Sequence, residues 1–275
     1  MKSKDHLPTR GIVHAAAGRE KFHLARFEPG PELLPFVEHY WFIRYTIDPQ
    51  TPFSQTVLSY PNVHLAFEAE QGEQRALVYG VPLRPFVRQL SGTGYVLGVK
   101  FRAGGFYPFW KQDVNQLTGL TVQATGIFGA DVEEWKGRIL SAEDEAAMAE
   151  QAEQMLLTLL PVQDEQATLA GQITIEAMND RSLTSVEQMS ERYELSVRQL
   201  QRLFRRYVGV SPKWVIKRFR LQEAAERLEQ DSSVSWAELA VMLGYSDQAH
   251  FIKDFKAVVG QSPAAYSKSA KTSPT

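Results

Sequence analysis

Two stretches within the last hundred residues are built to one plan, and that plan limits the chain more than any other feature of its sequence. The first runs Thr184-Ser-Val-Glu-Gln-Met-Ser-Glu-Arg-Tyr-Glu-Leu-Ser196 and continues Val-Arg-Gln-Leu-Gln-Arg-Leu-Phe204. Thr184 with Glu187 reads as a capping box, Tyr193-Glu194-Leu195 as a turn, and Ser196 as the N-cap of a second helix. The second stretch runs Ser235-Trp-Ala-Glu-Leu-Ala-Val-Met-Leu-Gly-Tyr-Ser246, then Asp-Gln-Ala-His-Phe-Ile-Lys-Asp-Phe255. Ser235 with Glu238 repeats the box, Gly244 supplies a residue free to take positive φ, and Ser246 reads as the second N-cap. A short helix, a tight turn and a capped longer helix, used twice, is the helix-turn-helix layout.

The longer helix of each unit has two unlike faces. In the first, Leu200, Phe204 and Val208 fall on one side, and Arg198, Gln201, Arg202 and Arg205 recur at helical spacing on the other. Arginine can fork onto guanine O6/N7 and glutamine onto adenine N6/N7, so that outer face suits base edges. In the second, Phe251 and Phe255 point inward. Gln248, Ala249, Ile252, Lys253 and Lys256 point outward, with Ala249 and Ile252 able to meet a thymine methyl. Between the units, Ser211-Pro212 opens a helix to about Glu229 whose packing face is Leu221, Ala224, Ala225 and Leu228.

Charge supports the same chemistry once it is read locally. The net charge of the 275 residues is −2. Residues 171–275 carry 15 Lys+Arg against 12 Asp+Glu, whereas residues 1–170 carry 15 against 20. Between Arg192 and Arg220 nine basic residues face a single acid, Glu194. A surplus of that density is what a polyphosphate rewards.

The spaced positions Ser196-x-Arg-x-Leu-x-Arg-x-Phe204, Gly209-x-Ser-Pro212, Arg220-Leu-x-x-Ala224, Leu239-Ala240, Gly244-Tyr-Ser246, Phe251-x-x-x-Phe255 and Gly260-x-Ser-Pro263 resemble the AraC/XylS family of regulators over roughly residues 168–267. Trp236 stands where that family usually has a small aliphatic, and Glu194 replaces a small turn residue at the cost of some φ strain. The resemblance implies double-stranded DNA as partner. It assigns base reading to Arg198, Gln201 and Arg202 in one unit and to Gln248, Ala249, Ile252 and Lys253 in the other. Ser196, Arg205, Ser246 and Lys256 complete the expected DNA-contacting set. RNA polymerase, a small-molecule effector and a second copy of the chain are further partners it suggests.

The N-terminal half reads differently. Tyr95, Leu97, Val99 and Phe101 alternate with Val96, Gly98, Lys100 and Arg102, and Trp41-Phe42-Ile43 and Val63–Phe67 are also strand-like. From Gly129 to Leu160 the period turns helical. Ala149, Ala152, Leu156 and Leu159 form a stripe that suits either a dimer seam or packing within the domain. Leu58–Asn62, Tyr79-Gly80, Gly98–Phe106 and Gly126–Gly129 resemble uncharacterised domains found beside some AraC-type readers. The aromatics Trp41, Tyr60 and Trp110, with Arg84 and Lys100, are candidate ligand contacts. The expected architecture is therefore α+β: a mixed, strand-rich sensor-like or dimerisation domain with trailing helices over 1–162, and an all-α domain over 163–275. The latter holds a first unit at about 184–208, a connecting helix at about 212–229 and a second unit at about 235–259.

Several chemistries are disfavoured. There is no cysteine, which removes disulfides, thiolate zinc sites and the thiol route used by repair proteins that share this kind of DNA reader. His39, His64 and Glu38 lack metal-ligand spacing, and no Gly-rich phosphate loop or paired catalytic carboxylates appear, so no cofactor is expected. No apolar run approaches the ~20 residues of a membrane span, and the chain reads as cytoplasmic and non-enzymatic. The alternative left open is an enzyme carrying an appended DNA reader.

Overall fold

The computed structural model describes residues 21–57, 60–230, 236–245 and 247–272. Among the described residues there are eight strands, seven of them before the first helix. β1 (Phe22–Phe27), β2 (Val37–Ile47), β7 (Gly92–Phe101), β4 (His64–Glu70), β5 (Glu73–Tyr79) and β8 (Thr121–Gln123) lie in that spatial order in one antiparallel sheet, and β3 (Phe53–Val57) pairs with β6 (Phe86–Leu90) in a second. The β4–β5 hairpin turns through Gln71 (φ 51) and Gly72 (φ 87), the two positive values that match the strand twist of a two-residue turn.

Register decides what each face carries. His64 opposes Lys100, Leu65 opposes Val99 and Phe67 opposes Leu97. One face thus presents Tyr40, Phe42, Leu65, Phe67, Leu97 and Val99, all fully buried. The helices α3 (Val132–Leu140) and α4 (Glu145–Thr158) pack on it, after the short α1 (Tyr107–Trp110) and α2 (Thr125–Phe128). Ala149, Ala152 and Leu156 are spent on this packing, so the seam reading of that stripe gives way to the intramolecular one; Leu159 is left 40% exposed at the helix end. The other face carries Trp41, His64, Glu68, Tyr79 and Lys100. The small sheet clasps it: Arg88 on β6 reaches Glu68 (3.1 Å) and Glu70 (2.6 Å).

The described residues that follow carry the helices α5 (Glu165–Asn179), α6 (Val186–Arg192), α7 (Val197–Tyr207), α8 (Pro212–Gln230), α9 (Trp236–Met242), α10 (Gln248–Val259) and α11 (Pro263–Thr272). The apolar core does not divide where the sequence suggested. One continuous cluster runs from the sheet through α5, α6 and α7 to Phe219, in the first half of α8. A separate cluster begins at Leu221 and gathers α9, α10 and Tyr266. The stretch between α4 and α5 holds the expected 162/163 boundary, yet packing continues across it. Gly104 and Gly171 make this possible. A Cβ on Gly104 would sit 2.1 Å from the Ala167 carbonyl oxygen, and one on Gly171 2.6 Å from that of Ala103, so only glycine lets the two backbones approach so closely.

Candidate nucleic-acid interface

Caps set the two units. Ser196 caps α7: its hydroxyl accepts from the Gln199 N–H while Gln199 returns to the Ser196 N–H, a complete capping box. The cap of α6 is Ser185 with Gln188, one residue later than the Thr184/Glu187 pair expected. Two overlapping frames fit the motif, and the later one lets Gln188 Oε1 also accept the Thr184 N–H at 2.8 Å, satisfying two amides with one side chain. The cap of α10 is Asp247, whose carboxylate accepts from the His250 N–H at 2.7 Å. This corrects the assignment of that cap to Ser246, which lies outside the described residues, as does Ser235. Aspartate at this position also favours the positive end of the helix dipole. Glu194 takes φ 53 and Gly244 φ 77 in the two turns, so a non-glycine residue stands in the left-handed region in the first.

The outer face of α7 is as the spacing predicts. Arg198, Gln201, Arg202 and Arg205 are exposed, while Leu200, Phe204 and Val208 are buried. On α10, Gln248, Ala249, Lys253 and Lys256 are exposed and Phe251 and Phe255 are fully buried. Ile252 is half-buried and packs on the second cluster, so it offers less surface than its spacing suggested. The two acids that dilute α10 in the sequence are both used internally: Asp247 caps the helix and Asp254 is 2.6 Å from Lys217.

The basic run Arg192–Arg220 separates into two groups. Arg192 is paired with Glu176 and Asp180. Arg206 donates to the Tyr107 hydroxyl at 3.0 Å. Lys217 holds Asp254. Arg220, 3% exposed, donates to the carbonyls of Ala177 (2.6 Å) and Asp180 (2.9 Å) and to Glu223 (2.8 Å). Arg218, 1% exposed, lies 5.4 Å over the Trp214 ring, and burial pushes its pKa down to about 10. Arg198, Arg202, Arg205 and Lys213 are exposed and, among the described residues, have no hydrogen-bond or ion-pair partner. Five of the nine cations hold the fold together; four face solvent.

Ser211 caps α8, accepting the Trp214 N–H at 3.2 Å. Its 19 residues make a strut of about 28 Å. Sequence reasoning missed a contact at the far end of α7. The Tyr107 and Tyr207 rings meet edge-on at 4.5 Å, and the Thr118 hydroxyl donates to the Gly209 carbonyl at 2.6 Å. A Gly209 Cβ would fall 3.0 Å from Thr118 Oγ1. The N-terminal half therefore grips the first unit where its long helix ends. A tyrosine opening a four-residue helix and a threonine in a loop carry no periodic signal that would have revealed this.

Of the ligand candidates, three gather and two do not. Trp41 lies across Gly98 and its Nε1–H donates to His64 Nδ1 at 3.2 Å. Lys100, opposite His64, is 2.9 Å from Glu38 and 4.5 Å from the centre of the Tyr60 ring. Burial depresses Lys100, and it depresses His64 to about 3 and His39 to about 2, with the Lys100 charge adding to both histidines. Tyr60 reaches the connecting helix, its ring 6.0 Å from that of Phe219. Arg84 is exposed in the loop before β6, and Trp110 stacks on Phe106 elsewhere. No described helix is long and apolar enough to cross a membrane, and the described residues hold no group of three potential metal ligands.

Two capped helix pairs on one strut, each with its long helix facing solvent, define a tandem helix-turn-helix protein. Residues 189–269 match a family of helix-turn-helix domains, and residues 25–123 match a domain family of unknown function. An uncharacterised HTH-type transcriptional regulator of Haemophilus influenzae is 38% identical over 84 residues, 30% of this chain and 28% of that protein. The transcriptional activator RhaS of Pectobacterium carotovorum is 35% identical over 75 residues, 27% of this chain and 26% of that protein. A solved structure of a probable AraC family transcriptional regulator from Rhodopseudomonas palustris is 25% identical, covers 36% of this chain and 94% of that one, and superposes with a TM-score of 0.33. The matches to the two curated relatives span less than a third of their length. What the chain shares with these relatives lies in its C-terminal unit, which is similar to the helix-turn-helix domains of transcriptional regulators.

Proposed function

We propose that the protein is a sequence-specific regulator of transcription that reads two segments of the DNA major groove, one with each long helix, under control of a small molecule at its N-terminal half. The observation that carries this is the selective exposure on α7. Arg198, Gln201, Arg202 and Arg205 stand in solvent without partners, while equally basic neighbours are tied into the fold. Ser196, at the helix start, joins this set as a phosphate contact, its hydroxyl exchanging the Gln199 Oε1 for a phosphate oxygen. On α10, Gln248, Ala249, Lys253 and Lys256 form the second reading set, with Ile252 at its inner margin. The α8 strut, at about 28 Å, holds the readers near the ~34 Å repeat of successive groove turns. For the N-terminal half, Trp41, Tyr60 and Lys100 are the ligand contacts best supported, since they converge and Tyr60 also touches α8.

The test is a chemical footprint on genomic binding sites. Each protomer should protect two groove segments about one helical turn apart on one DNA face. Inserting about 5 base pairs between them, half a turn, should abolish tight binding. A single protected segment per protomer would show that the second unit is packing rather than a reader.

A further inference from the structure

The seam between the two halves holds a cavity of about 120 Å³. Its walls are the segment 102–108 and the first three turns of α5, brought together by the close glycine contacts already described. Phe36, Pro108, Ala167 and Ile175 supply apolar lining, and Arg102 and Asp164 line it as well. Arg102 donates through Nε to the Leu34 carbonyl at 2.6 Å, and its two terminal nitrogens have no protein partner among the described residues. Asp164 spends one oxygen on the N-cap of α5, accepting the Ala167 N–H at 2.9 Å. Its other oxygen accepts no hydrogen bond from the described residues, and no ion pair joins it to Arg102. One cavity therefore presents a guanidinium fork and a carboxylate oxygen, both with unused capacity, over an apolar floor. Its volume is a little under that of an engineered cavity able to hold benzene, which limits an occupant to roughly half a dozen heavy atoms.

We propose that this cavity binds a small zwitterion of the size of a short-chain α-amino acid, its carboxylate on the Arg102 fork and its ammonium on Asp164. An anion alone would leave Asp164 unanswered, and a cation alone would leave Arg102 so. As an effector site it rests on the regulatory reading above. An occupant braces segment 102–108 against α5, and that segment contains Tyr107, which holds Arg206 and Tyr207 at the end of the first reading helix. The charge of Asp164 is felt at the Tyr207 hydroxyl, whose pKa it raises after burial has done the larger part.

The full chain, free of DNA, is titrated calorimetrically with glycine and L-alanine, and with butyrate, n-butylamine and L-tryptophan as controls. The amino acids should bind with a dissociation constant on the order of 1 mM or tighter. Butyrate and butylamine, each lacking one charge, should bind at least about tenfold more weakly, and tryptophan, too large for the volume, should not bind. Arg102→Gln and Asp164→Asn should each weaken alanine at least about tenfold, and Asp164→Asn should do so without lowering the melting temperature, because asparagine still caps α5. The proposal is overturned if no amino acid gives heat at about 10 mM, or if butyrate matches alanine and Asp164→Asn changes nothing. Neither result bears on the DNA footprint, so failure of this site and failure of the reader are separable.

Discussion

Gly209 and Gly260 occupy equivalent places after the long helices of the two units, at φ 94 and φ 89. Replacing either by alanine forces a Cβ into the left-handed region, which costs roughly 1–2 kcal/mol. Their surroundings differ. At Gly260 the nearest outside atom to a new Cβ is Pro85 Cγ at 3.7 Å, ordinary contact. At Gly209 the Cβ would be 3.0 Å from Thr118 Oγ1, 3.1 Å from Val114 Cγ1 and 3.3 Å from the Val114 carbonyl oxygen. One of these is backbone, and the Thr118 hydroxyl is already committed to the Gly209 carbonyl. Gly209→Ala should therefore cost about 1 kcal/mol beyond Gly260→Ala, the lower end of overpacking penalties. Urea unfolding of the two full-length variants gives the difference. Hydrogen exchange at residues 114–118 locates it: opening should rise in Gly209→Ala and stay unchanged in Gly260→Ala. Equal destabilisation, with no change in exchange at 114–118, would refute the claim that the N-terminal half grips the first unit.

Other outcomes follow from the same contacts. Arg202→Ala should weaken the cognate site by about 1–3 kcal/mol and relax specificity at about one base pair, with an unchanged melting temperature. Arg206→Ala should do the reverse, lowering stability by about 1 kcal/mol through the lost Tyr107 bond while costing less in DNA affinity; gel-shift and thermal-melt measurements on both variants check this. Arg220→Met should cost about 3 kcal/mol by urea titration, since it strands the Ala177 and Asp180 carbonyls and removes a partner of the buried Glu223. His64 and His39 are held neutral with folded pKa values of about 3 and about 2, below the unfolded value, so the unfolded chain takes up protons first as pH falls. Stability should be full above about pH 6.5 and decline below it, by up to about 1.4 kcal/mol per pH unit for each histidine. His64→Gln should flatten that slope in melts between pH 7 and 5, and an unchanged slope would remove His64 from the account.

The C-terminal units were legible because capping, turn and amphipathic signals are local and agree with one another. Ser196, Leu200 and Phe204 on α7, and Leu221, Ala224, Ala225 and Leu228 on α8, went where period and chemistry sent them. The misses have physical causes. Ser185 rather than Thr184, and Asp247 rather than Ser246, cap their helices because adjacent polar residues are interchangeable on paper. The basic run overstated the interface because a charge count does not see that Arg220 is inside, bonded to carbonyls 40 and 43 positions away. The strands of the N-terminal half were recognisable one by one. Their pairing, which sets Trp41, His64 and Lys100 on one face, depends on non-local register. The shared core and the Arg102–Asp164 cavity join segments more than 60 residues apart, and no periodicity reports that.

The division of the core between Phe219 and Leu221 has a consequence for how the chain is made. A ribosome delivers residues in order, at ~5–20 per second. Every residue of the first apolar cluster precedes every residue of the second. The sheet, the gripped first unit and the near half of α8 have all their apolar core partners before Leu221 emerges. The second cluster, which closes with Tyr266, needs a few seconds more of synthesis. During that interval the far half of α8 has its hydrophobic side, Ala224, Ala225 and Leu228, exposed without α10 to cover it. A nascent chain paused near residue 250 thus has its first core closed and one apolar helix side open, and that side is where a chaperone that holds apolar segments would bind.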